Sequence, residues 1–176
     1  MAWTAPATWT ATLVTVAQFN EQIRDNMLAL KSPPSDNYES NEGADYTSTS
    51  TAYADVDTTD FTLSITTTGG DVVVGFHGLV NLGSAAANSV HFDVTMDGTQ
   101  IGGDDGITAD VFINTSGATD TKSMSFTRLV TGVSAGAHTF VLRWKSSTGG
   151  SGRTLYAGAG TSNRDVHPQF WCREVS

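Results

Sequence analysis

Along residues 45–176 the apolar positions keep a period of two. Phe61, Leu63 and Ile65 alternate with polar residues in FTLSI, as do Val90, Phe92, Val94 and Met96 in VHFDVTM. Met124 and Phe126 in MSF, and Phe140, Leu142 and Trp144 in FVLRW, continue the pattern. That alternation marks strands with one face on a core and one face outward. DVVVGFHGLV, residues 71–80, is more continuously apolar and reads as a strand covered on both faces. Turn signals separate these runs at Gly69-Gly70, Asp97-Gly98, Gly102-Gly103, Gly132 to Gly136 and Gly149 to Gly152. With YTSTSTAYADV, ADVFINT, TLYAGAG and HPQFWCREV added, the count reaches eight or nine strands. No helices alternate with them, so the expected fold is mostly β: an antiparallel jelly-roll sandwich.

The pattern changes once, in TVAQFNEQIRDNMLALK. Thr15 is a suitable N-cap, Gln18 completes a capping box, and Val14 can staple to Phe19. Lys31 in the last turn and Pro33-Pro34 beyond it mark the end. Val16, Phe19, Ile23 and Leu30 recur at helical spacing with Asn26 among them, which predicts a short seam whose polar member sets register. The alternative is an amphipathic helix lying on its own domain, with Met27 inward instead of Asn26. The expected organisation is an arm at 1–14, the helix at 15–31, a polar linker at 32–44 and the β-domain at 45–176.

Composition narrows the function. The 176 residues carry a formal net charge of −9 at a sequence pI near 4.6, with no basic footprint for nucleic-acid phosphates or anionic lipids. No run approaches a membrane span, and the opening MAWTAPATWTATLV lacks the character of a secretion signal, so synthesis in a host cytoplasm is expected. Acids cluster at 36–60 and 93–120, whereas bases concentrate in the last third. Pairing between neighbouring strands accounts for this; an acidic face meeting a basic face of another subunit is the alternative. The lone Cys172 reads as a small core residue, and a disulfide framework is excluded.

Catalytic chemistry finds little footing. His77, His91, His138 and His167 show no ligand spacing, and no serine sits in a G-x-S-x-G elbow, so an enzyme is not expected. In DGTQIGGDDG, Asp97, Asp104 and Asp105 are weak candidates for calcium, but their spacing is not that of an EF-hand and a solvated hairpin loop is the simpler reading. No other cofactor is implied. The last strands hold Trp144, Tyr156, Phe170 and Trp171. Alternation sends Trp144 into the core and turns Trp171 and Arg173 outward, making Trp171, Tyr156 and Arg173 candidates for a subunit contact or a sugar platform.

The opening W-T-x-P-x-T-W followed by VTVAQFNEQIRDNMLALK resembles the N-terminal segment of virion structural proteins of tailed bacteriophages, of the minor tail, fibre and decoration kinds. STAYADVDTTDFTLSITTTGGDVVVGFHG, GVSAGAHTFVLRWKSSTGG and FWCREV look like the jelly-roll domains that such proteins share with tumour-necrosis-factor-like trimers. The resemblance implies a non-enzymatic homotrimer on a virion surface. Trp3, Trp9, Phe19 and Ile23 would then anchor it to capsid or tail proteins. A module binding a receptor or a host-surface glycan is the alternative.

Overall fold

The structure, a computed structural model, describes residues 14–40, 43–82, 88–112, 120–147, 152–158 and 165–175. Twelve strands occur among them: β1 (Ser35–Glu39), β2 (Tyr46–Ser48), β3 (Ala54–Asp55), β4 (Thr62–Thr67), β5 (Gly70–Leu82) and β6 (Asn88–Met96), then β7 (Thr99–Gln100), β8 (Thr108–Phe112), β9 (Asp120–Val133), β10 (Gly136–Ser146), β11 (Arg153–Leu155) and β12 (Gln169–Val175). They form two antiparallel sheets of six strands each. In the first, β5 lies between β9 on one side and β12 with β11 on the other; β1 extends β12 and β2 extends β11. In the second, β10 lies between β4 with β3 and β6, and β6 carries β8 and β7 on its far edge.

The chain crosses between sheets from β2 to β3, from β4 to β5, from β5 to β6, from β8 to β9, from β9 to β10 and from β10 to β11. This is the path of a jelly roll. Alternation drives it: Leu63 and Ile65, Val72, Val74 and Phe76, Phe92 and Val94, and Phe140, Leu142 and Trp144 all face the space between the sheets. An aromatic series runs through that space, from Tyr46 edge-on to Phe61, then Phe76, then Phe92 stacked on it at 4.8 Å, then Trp144.

The register defines two poles. Gly70 of β5, Val175 of β12 and Val133 of β9 share one end; Leu82, Asp120 and Arg153 share the other. The helix joins at the first pole through Pro33-Pro34, where the backbone of Glu174 donates to Pro34 O. The Glu174 carboxylate, buried there, accepts from the backbone and hydroxyl of Thr68 and closes the β4–β5 turn.

Three expectations change. Residues 35–39, read as linker, form β1, fully paired with β12. TLYAGAG contributes only Thr154 and Leu155, in β11, to a strand. The helix is not uniformly α: α1 (Val16–Phe19) passes into a π-helical stretch, Asn20–Asp25, before α2 (Asn26–Lys31). The capping box at Thr15 and Gln18 is present as expected.

Candidate functional site

The outer face of the first sheet carries the side chains that β5, β9, β12 and β1 turn away from the core. Its rows follow from the register: Leu129, Val73, Arg173 and Ser35 in one; Thr127, Gly75, Trp171 and Asn37 in the next; Ser125, His77, Gln169 and Glu39 in the third. Asp71 faces Val175 below them, and Leu79 faces Ser123 above. Trp171 lies across Gly75. A methyl group built on Gly75 would sit 2.7 Å from Trp171 Nε1 and closer still to two ring carbons. The glycine thus lets the indole lie flat on the sheet, with one ring face against the backbone and the other outward. Around it Val73 and Leu79 are half-buried, and Leu129 and Val175 keep 47% and 38% of their surface exposed.

The outer face of the second sheet is the opposite in character, because its basic side chains find partners within the chain. Arg143 pairs with Asp55 at 2.9 Å and donates to Tyr53 O. Lys145 lies over the Tyr53 ring and donates to Asp104 O. Asp93, opposite Arg143 on β6, is fully buried, and burial raises its carboxyl above the usual range. At the end of the inward row of β10, opposite Ile65, His138 presents Nδ1 to Asp97 Oδ2 at 2.7 Å and Nε2 to Ser134 O at 2.9 Å. With acceptors at both nitrogens the imidazolium form is favoured, so the His138 pKa is raised and that of Asp97 lowered. These pairs, with Lys122–Asp110, are the strand-to-strand complementarity that the charge clusters suggested.

The residues singled out in the sequence separate accordingly. Trp171 and Arg173 face outward on the first sheet as expected, and Trp144 is in the core. Tyr156 does not join them: it is buried, its backbone N–H donating to Leu79 O, so it leaves the set of contact candidates. Cys172 is buried on the inner face of β12, and that burial pushes its thiol up to about 11. The aspartates of the glycine loop take different places. Asp97, at φ 51° before Gly98 at φ 82°, makes the two-residue hairpin between β6 and β7 and accepts from Thr139 N as well as His138. The backbone carbonyls of Asp104 and Asp105 are taken by Lys145 and His91. Among the described residues no three His, Cys, Asp or Glu side chains gather as a metal site.

Of the anchor candidates, Trp3 and Trp9 lie outside the described residues. Phe19 and Ile23 are 54% and 43% exposed, and among the described residues no apolar side chain of the helix belongs to the core. Asn26, by contrast, is buried and donates to Gln22 O. Among the described residues no helix is long and apolar enough to cross a membrane. The sequence reading passed over Gly75, Val73 and Leu129; the continuous apolar run around Gly75 was the available signal.

The fold and this face define a jelly-roll β-sandwich with one polar, self-paired outer face and one partly apolar, uncovered one. No family model matches the chain, and no curated protein matches it. Among solved structures it is similar to the Eiger TNF from S. frugiperda at 11% identity and a TM-score of 0.44, over 82% of this chain and 95% of that one. It is also similar to dimeric latent PorU from Porphyromonas gingivalis, at 11% identity and a TM-score of 0.42, over 81% of this chain and 13% of that one. A third, from the Gt strain of infectious bursal disease virus, has 12% identity and a TM-score of 0.31, over 81% of this chain and 38% of that one.

Proposed function

We propose that this chain is a non-enzymatic structural protein of a tailed-phage virion: a homotrimeric knob on capsid or tail, held to the particle by its N-terminal arm and helix. One observation carries the association. The apolar run of β5 is written for a strand covered on both faces, yet in the single chain only the inner face is covered, by Val72, Val74 and Phe76. The outer face leaves Val73, Leu79, Trp171, Leu129 and Val175 to a partner. Two further copies about a three-fold axis would bring the same apolar residues together, and an aromatic anchor framed by small polar residues is typical of a packed protein contact. The exposed apolar side chains of the helix, at the pole where the chain enters the sandwich, suit attachment to a mount. The virion assignment rests on the resemblance of the opening segment.

Light scattering on the purified protein should return three times 18.5 kDa, and antibody labelling should decorate particles at one location. A monomer at micromolar concentration defeats the trimer, and unlabelled particles defeat the virion assignment. The flat, outward ring of Trp171 also favours a second reading, a stacking platform for a sugar. A reproducible glycan-array hit with a monomeric protein would replace the first reading by this one.

A further inference from the structure

At the pole away from the helix, Arg153 of β11 turns inward and spans the gap between the sheets. It is 0% exposed, and its guanidinium lies 4.8 Å over the ring of Trp144 on β10. Nη1 donates to Ser50 O at 2.9 Å and Nη2 to Ser48 Oγ at 3.0 Å. Both acceptors are neutral, and none of the ion pairs among the described residues includes Arg153. Two N–H donors in this stack have no hydrogen-bond partner: Arg153 Nε and Trp144 Nε1.

A guanidinium removed from water ordinarily sits beside a carboxylate or keeps all its N–H groups bonded, because an uncompensated buried charge is strongly destabilising. The negative face of the indole offsets part of that charge. It gives no acceptor to either unpaired donor, and the Trp144 N–H lies in the ring plane, outside the stacking contact. A positive charge with two unsatisfied donors beside it is the complement of a small acceptor that carries negative charge.

We propose that Arg153 and Trp144 bind a small monovalent anion of halide size between the two sheets, held by Arg153 Nε and Trp144 Nε1. The site is independent of the contact face and of the virion assignment. A halide needs no directional donors beyond these two, and it neutralises the guanidinium where no carboxylate side chain pairs with it.

The test uses the full chain with bromide as the probe. Crystals soaked in sodium bromide should show an anomalous peak within hydrogen-bond distance of Arg153 Nε and Trp144 Nε1. The melting temperature should rise saturably with sodium chloride, beyond its rise in sodium gluconate at equal ionic strength. Trp144→Phe keeps an aromatic face under the guanidinium and removes one donor, so its chloride dependence should weaken several-fold in midpoint concentration; Arg153→Gln should abolish it. If Arg153→Gln fails to fold, the wild-type soak and the Trp144→Phe titration still decide. Bromide peaks only elsewhere, or equal melting in chloride and gluconate, overturn the proposal.

Discussion

Gly75 and Trp171 show how one missing carbon shapes a surface. Gly75→Ala would push the indole off the sheet while leaving Val74 and Phe76 on the core side untouched, a local strain of about 1–3 kcal/mol. The expected result is a folded protein with red-shifted tryptophan emission and weakened self-association, read by fluorescence and by mass against concentration. An unchanged trimer would remove the ring from the contact. His138 and Asp97 give a second prediction. The folded-state pKa of His138 lies above 6.5, so the pair's contribution is present below that value and lost as pH rises through the raised pKa. That of Asp97 lies below 3.8, so the contribution is present above that value and lost as pH falls through the lowered pKa. NMR titration should place His138 above its ordinary value and return it towards 6.5 in Asp97→Asn. At this scale the sequence was informative wherever alternation was unbroken: in FVLRW and QFWCREV it separated Trp144 from Trp171 correctly. It misled at Tyr156, just past a strand of three residues, where no period exists to count. Arg153 gave no signal, since a basic residue in a short strand ordinarily reads as exposed.

Secondary-structure elements were legible in proportion to the apolar side chains they bury. β4, β6 and β10 follow from their alternation, and the helix start follows from its capping chemistry. β1 was hidden because it is an edge strand in SDNYE, whose inward positions are Asp36 and Tyr38 instead of aliphatics. The π-helical stretch left no mark because its residues are ordinary helix formers; the change lies in which carbonyl each N–H reaches. Removing the cap by Thr15→Ala should cost about 1 kcal/mol of helix stability, visible as lost helical ellipticity without a shift in β-domain melting. Ile23→Asp separates two roles. With Ile23 already 43% exposed, melting of the free protein should move by no more than about 0.5 kcal/mol, whereas incorporation into particles should fail. A large drop in melting would mean that the helix seam is buried in the free assembly.

The whole molecule was legible as a count of strands and a class of fold, not as a pairing scheme. Nothing in the residues of β5 says that it lies between β9 and β12, because strand partners are chosen by the packing of all faces together. The division into a self-paired outer face and an uncovered one emerges only when the rows of neighbouring strands are assembled. A protein lacking residues 1–31 should therefore retain its fold, since among the described residues none of the helix belongs to the core. Its thermal midpoint should match that of the full chain at a concentration where both are monomeric, and a large loss would show that the helix packs on the sandwich after all.

The pairing of β1 with β12 bears on mechanics. The chain leaves the helix at Pro34 and enters β1 at Ser35, running along the same axis as the line between the two poles. Tension between a mount at the helix and a load at the opposite pole would slide β1 lengthwise against β12. All the hydrogen bonds from Ser35 to Glu39 would then share the load at once, instead of opening one after another. Single-molecule pulling through these attachment points should meet higher resistance than pulling across the strands. Under the proposed attachment through the helix, the first strand would act as a tether loaded in its strongest direction.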